Sequence, residues 1–219
     1  MTTIPRHLDR SFLWAALFLL SITALHAGDV TSRKSRRPIR HREKINLPQA
    51  DATSTWNAAV DGNWNDPTKW SSNPNYPNNG NGGVATYAAV ISATGAAYTV
   101  TLAVPITVES LLLSSANATL NHTANTFTAT NGISLNAGTY RLNGGTISNT
   151  VVNVSGGTLA GAANNGNLLT GVTVNGDLTL SASGARTKIA GGTTFTTAHL
   201  SGVNTSLGFA PGQTLSGTV

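Results

Sequence analysis

The sequence predicts an all-β fold, a parallel β-solenoid of about 20 residues per coil, and three observations carry that prediction. The first is composition. Of 219 residues 32 are Thr, 22 are Asn and 23 are Gly, and only 10% are charged, a profile that disfavours helices. Thr is β-branched and stiff at χ1, whereas Asn and Gly favour turns over helix interiors. The second is a repeat in three apolar columns. Leu113, Ile133, Val152 and Val172 are separated by 20, 19 and 20 residues; Leu120, Tyr140, Leu159 and Leu178 by 20, 19 and 19; Phe127, Ile147, Leu168 and Ile189 by 20, 21 and 21. Stacked coils put like over like at a rung spacing of ~4.8 Å, which turns each column into one wall of a core. The third is punctuation. Asn131-Gly132, Asn143-Gly144, Gly156-Gly157, Asn175-Gly176 and Gly191-Gly192 fall where the chain must turn with positive φ. A β-sandwich also gives short strands and Asn-Gly turns, but it does not require a constant spacing in three columns.

Along the chain, Arg6 and Arg10 precede an apolar run from Phe12 to Leu25, and Leu25-His26-Ala27 follows. This is the layout of a secretory signal peptide, expected over residues 1–27. The run is 14 residues long, short of the ~20 that a membrane-spanning helix needs, so contact with a membrane is expected only during export. Residues 28–52 form a basic, disordered linker containing Arg33, Lys34, Arg36, Arg37, Arg40, Arg42 and Lys44. Such a block repels itself and stays solvated, as a tether or as an electrostatic contact to an anionic surface. Residues 1–44 carry a net +6 (nine cations, three acids), while residues 45–219 carry −1 (four cations, five acids), so the basic overall charge implies no nucleic-acid groove in the body of the protein. The chain has no cysteine, which excludes disulfides, thiolate metal sites and thiol nucleophiles.

Residues 53–86 are rich in Trp and read as an N-terminal cap to the coils, which occupy residues 87–219. Trp56, Trp64 and Trp70 suit either burial over the open end of a β-structure or, as exposed rings, stacking on a glycan. Asp61, Asn63, Asn65 and Asp66 superficially match a calcium loop, but Asp66 stands where that loop needs Gly and Ser72 where it needs Glu, so Asx-turns are expected. The final TLSGTV has the pattern of a strand in progress. Truncation there, or self-association through an exposed edge, is the expectation.

The stretches TWNAAVDGNWNDPTKW and YTVTLAVPITVESLLLSSANATL, with the glycine-rich LNAGTYRLNGGTI and LTGVTVNGDLTL, resemble bacterial secreted proteins of the autotransporter-associated beta-strand repeat and PEP-CTERM-associated kind, over residues 53–219. The resemblance implies export to the cell surface and a repeat architecture. A C-terminal barrel and a Pro-Glu-Pro sorting segment, which such proteins use for retention, are not found in the sequence.

Catalysis by a β-helix requires clustered groups. Within the coils the acids are Glu109 and Asp177, expected ~15 Å or more apart, beyond the reach of a glycosidase pair. His122, in the turn-like NATLNHTAN, is expected to be solvated, and His199 isolated. Arg141 should point outward between the inward Tyr140 and Leu142. No catalytic residue, cofactor or metal is therefore expected. The function implied is an exported structural or adhesive surface protein without catalytic activity, with extracellular polysaccharide as its partner and no nucleic acid. The alternative is a glycan-binding or polysaccharide-cleaving β-helix.

Overall fold

The computed structural model describes residues 49–219 apart from Ser216. The expected leader 1–27 and nearly all of the linker 28–52 lie outside the described residues. The described chain winds as a parallel β-solenoid of about six turns with roughly 20 residues per turn. A partial first rung holds β1 (Ala52–Thr55) and β2 (Gly62–Asn63). Five full coils follow: β3 (Tyr87–Ile91), β4 (Tyr98–Leu102) and β5 (Ile106–Val108); β6 (Ser110–Leu113), β7 (Ala118–His122) and β8 (Thr126–Ala129); β9 (Ile133–Leu135), β10 (Thr139–Leu142) and β11 (Thr146–Ser148); β12 (Val151–Val154), β13 (Thr158–Gly161) and β14 (Leu168–Thr170); β15 (Thr173–Asn175), β16 (Asp177–Leu180) and β17 (Arg186–Ala190). Finally come β18 (Thr197–Leu200) and β19 (Ser206–Phe209). The first strand of each coil joins a first sheet, β1-β3-β6-β9-β12-β15; the second joins a second sheet, β2-β4-β7-β10-β13-β16-β18; the third joins a third sheet, β5-β8-β11-β14-β17-β19.

Alternation makes these strands. In β4, Tyr98, Val100 and Leu102 are buried while Thr99 and Thr101 between them are half-buried. Period two sends the apolar set inward, and full burial of each Val, Leu or Ile is worth ~1.5–3 kcal/mol. The second-sheet column is the one the spacing predicts, Leu120–Tyr140–Leu159–Leu178, extended by Val100 at one end and Ala198 at the other.

The other two columns need correction. Ile133 pairs with Leu111, not Leu113, and Val152 pairs with Val174, not Val172. A shift of two residues keeps a side chain on the same face, so an apolar column conceals it. In the third sheet Ile147 and Ile189 pair with Leu169, which is fully buried, and Leu168 beside it faces outward. Here the shift is one residue and the face reverses.

Corners are held by two devices. Gly132, Gly144, Gly176, Gly191 and Gly192 take positive φ as the turn pattern requires, but Gly156 and Gly157 do not. Gly156 is needed for a different reason, since a Cβ there would collide with the carbonyl of Asn136 in the preceding coil. The second device is asparagine. Asn117 donates to Gly95 O at 2.6 Å, Asn125 to Ala103 O at 2.7 Å and Asn164 to Asn143 O at 2.9 Å, each across one coil. Asn167, 1% exposed, accepts from Gly144 N at 2.6 Å and donates to Ala162 O at 2.9 Å and Arg186 O at 2.7 Å, joining three successive coils.

Trp56 and Trp64 follow directly on β1 and β2, and Trp56 and Trp70 form an antiparallel bridge. Their centroids lie 5.1 Å (Trp56–Trp70) and 4.8 Å (Trp64–Trp70) apart, and Trp64 meets Phe127 of β8 at 5.6 Å. The first two sheets begin before the expected coil region, at Ala52, the last residue of the expected linker, and at Gly62 within the Trp-rich segment, so these residues form a partial rung.

Candidate functional site

The outward face of the second sheet carries in-register columns of polar residues. Thr99, Thr119, Thr139 and Thr158 occupy successive rungs at one register position, followed by Asp177 and Thr197. Two residues along each strand runs a parallel column, Thr101, Asn121, Arg141, Ala160, Thr179 and His199. Both columns face outward because the residues flanking each position belong to the buried alternate set.

At the lower end of this face Asp177 and His199 meet. The Asp177 Oδ2 to His199 Nε2 distance is 2.9 Å, with both side chains about half exposed. They flank a surface hollow of about 290 Å³ whose wall includes Thr158, Thr179 and Gly176. His199 is thus not isolated, which corrects the sequence expectation. The signal was available, since the two residues are one coil plus two positions apart and so fall on adjacent rungs of one face. Glu109 lies at the entry to β6, on another sheet and three rungs earlier, and is 6% exposed, with its Oε1 accepting from Asn131 Nδ2 at 2.7 Å. The two acids do not come together.

The expectation for His122 fails outright. It is fully buried inside the solenoid, in the column Leu102–His122–Leu142. Its Nε2 lies 3.2 Å from Asn125 O, and its Nδ1 lies 3.0 Å from the Tyr140 hydroxyl. A backbone carbonyl only accepts, so Nε2 carries the proton and Tyr140 donates to Nδ1. Burial, the dominant cause, lowers the His122 pKa from 6.5 to about 4, against the opposing backbone hydrogen bonds of Asn125 and Ala124. Burial also raises the Tyr140 hydroxyl well above its ordinary value, which keeps it a donor. With Phe127 at 6.4 Å and 6.2 Å from the two rings, the pair is an enclosed polar contact in an apolar stack. Nothing in it opens to solvent, so it is structural.

The residues offered for glycan stacking are likewise interior. Trp56, Trp64 and Trp70 are 1%, 0% and 0% exposed, and their indole N–H groups donate to Val60 O, Pro77 O and Trp64 O. No ring face is left for a sugar. Asp61 accepts from Thr99 N at 2.6 Å, and Asp66 accepts from Thr68 N at 3.0 Å and from its hydroxyl at 2.7 Å. The Thr68 hydroxyl, then its amide, holds the Asp66 carboxyl below the usual range. These acids brace turns, and among the described residues no three His, Cys, Asp or Glu converge as metal ligands.

Comparison with protein-family models, with curated proteins and with solved structures finds no match.

Proposed function

We propose that the chain is an exported, non-catalytic surface protein, a stiff β-solenoid whose outward columns of hydroxyl and amide groups adhere to extracellular polysaccharide. The observation that carries this reading is the in-register column Thr99–Thr119–Thr139–Thr158, with Thr101 and Asn121 alongside. Hydroxyl and amide groups repeated at the rung spacing of ~4.8 Å form a polar grid, and such a grid suits a polymer of repeating hydroxyl groups. Export is supported by the leader-like residues 1–27, and closure of the N-terminal end by the buried tryptophans beside β1 and β2.

A cleaving β-helix is the second reading, and the Asp177–His199 contact beside its hollow is what favours it. Retention on insoluble and immobilised polysaccharides, combined with assay of reducing-sugar release, tests both. Thr119→Arg with Thr139→Arg should abolish retention, whereas Ser134→Arg on the first sheet should not. Retention unaffected by the threonine changes would defeat the adhesive reading, and sugar release lost in Asp177→Ala would replace it with the enzymatic one. Leu19→Arg, which places a charge at the centre of the leader at a cost of ~2.5–3.5 kcal/mol, should block export.

A further inference from the structure

A second polar surface, on the third sheet, carries charge. In β17 the inward residues are Thr187 and Ile189, 1% and 0% exposed, so Arg186 and Lys188 both stand outward, ~6.6 Å apart along the strand. They are two of the four Lys and Arg in residues 45–219. The next strand, β19, places Ser206 opposite Arg186 and Gly208 opposite Lys188. Two of the smallest residues therefore lie beside two of the longest. On the other side the corner Asn164-Asn165 rises, and together these residues enclose a hollow of about 120 Å³.

The guanidinium is fixed in place. Arg186 Nε donates to Gly184 O at 3.1 Å and Nη1 to Asn165 Oδ1 at 2.7 Å. Its Nη2 is left to donate, and so is the NH2 group of Asn165. Among the described residues no carboxylate forms an ion pair with either cation. Two like charges on adjacent outward positions repel, and an anion seated between them turns that repulsion into two attractions.

We infer that this hollow is a binding site for the carboxylate of a uronic-acid residue in an acidic polysaccharide. The inference rests on the polysaccharide reading above and names the class of sugar. One carboxylate oxygen can accept from the free Nη2 of the fixed arginine and the other face the Lys188 ammonium, while the Ser206 hydroxyl and the free Asn165 NH2 offer partners for ring hydroxyls. The hollow admits an acid group and part of one ring while the rest of the polymer runs across the sheet.

The test is a titration of the full chain with tri-galacturonate, followed by the backbone amide signals of Ser206 and Gly208, with galactotriose and inorganic sulfate as comparison ligands. Saturable shifts at those two residues are expected with tri-galacturonate and not with galactotriose. Lys188→Gln, at an exposed position that leaves the fold untouched, should weaken binding about tenfold, and Arg186→Gln by at least as much. Gly208→Val should also weaken it by filling the hollow without altering charge; the added Cβ comes nearest the flexible Lys188 Cγ, at 3.2 Å, with backbone atoms of Lys188 and Thr187 at ordinary contact distance. Equal occupancy by sulfate would overturn the choice of a uronate. Shifts confined to the basic residues 31–44 and indifferent to Lys188→Gln would overturn the site. Retention of neutral polysaccharides without any tri-galacturonate binding would defeat this inference and leave the adhesive reading standing; failure to retain any polysaccharide would defeat both.

Discussion

Acidification should weaken the coils through His122, and the double variant His122→Leu, Tyr140→Phe should remove most of that sensitivity between pH 6.5 and 5. The imidazole has a pKa of about 4 in the folded protein against 6.5 for an ordinary histidine. Above pH 6.5 it is neutral in both states and costs nothing. As the pH falls below 6.5 the unfolded chain takes up a proton that the folded chain refuses, so stability drops by ~1.4 kcal/mol per pH unit. The loss is about 2 kcal/mol at pH 5 and about 3 kcal/mol at pH 4, where the folded form begins to protonate. The double variant continues the Leu102–Leu142 column with leucine and removes both members of the hydrogen bond. Asn125 O keeps a partner, because it also accepts from Thr146 N at 2.8 Å. Replacing both partners by apolar groups of similar shape is nearly neutral, whereas His122→Leu alone strands the Tyr140 hydroxyl at a cost of ~1–3 kcal/mol. Urea unfolding followed by tryptophan fluorescence at pH 7, 6 and 5 reads these differences. Equal pH slopes in the wild type and the double variant would refute the assignment of a buried neutral histidine.

Asn167→Ala should cost ~2–4 kcal/mol, since it orphans Gly144 N–H and removes donors to Ala162 O and Arg186 O; thermal unfolding measures it. Thr187→Val should stabilise by ~1 kcal/mol, because the Thr187 hydroxyl is buried without a partner and valine has nearly its shape; a fall in the denaturant midpoint would contradict this. Gly145→Ala should destabilise by ~1–3 kcal/mol, as its Cβ would collide with the His122 ring. His122→Ala should cost less in that background than in the wild type, and a double-mutant cycle showing strict additivity would argue against the contact.

The coil length and the second-sheet column were legible because period two and period 20 coincide there without interruption. Leu113 and Val172 were assigned to the wrong partners because sequence spacing cannot distinguish a two-residue shift when both candidates are apolar, as Leu111 and Leu113 are. The sequence spacing points to Leu168 where the fold uses Leu169, because the Asn164–Asn167 corner lengthens that coil and the two leucines are adjacent. The Asn-rich context of NATLNHTAN reads as a turn, yet His122 lies two residues from Leu120 on the same strand, and alternation alone places it inward. Of the candidate sites, the Asp177–His199 pair could have been found from spacing. The Arg186–Lys188 hollow could not, because it depends on which residues of β19 lie opposite, and that register is settled only by the fold.

The corner asparagines also bear on how this protein ages. Asn-Gly is the dipeptide in which the following backbone nitrogen most easily attacks the side-chain amide carbon, expelling ammonia and leaving an acid or an isomerised backbone. Here the attacking groups are occupied: Gly144 N–H donates to Asn167 Oδ1 at 2.6 Å and Gly132 N–H to Ala129 O at 3.1 Å. The amides under attack are tethered as well, Asn131 to Glu109 at 2.7 Å and Asn175 to Asn153 at 2.8 Å. Deamidation at Asn131-Gly132, where attacking nitrogen and amide are both held, must then wait for a coil to open. A chain whose turns are chemically perishable in isolation becomes durable once wound, and the slow appearance of new carboxylates would act as a clock for the opening of that coil.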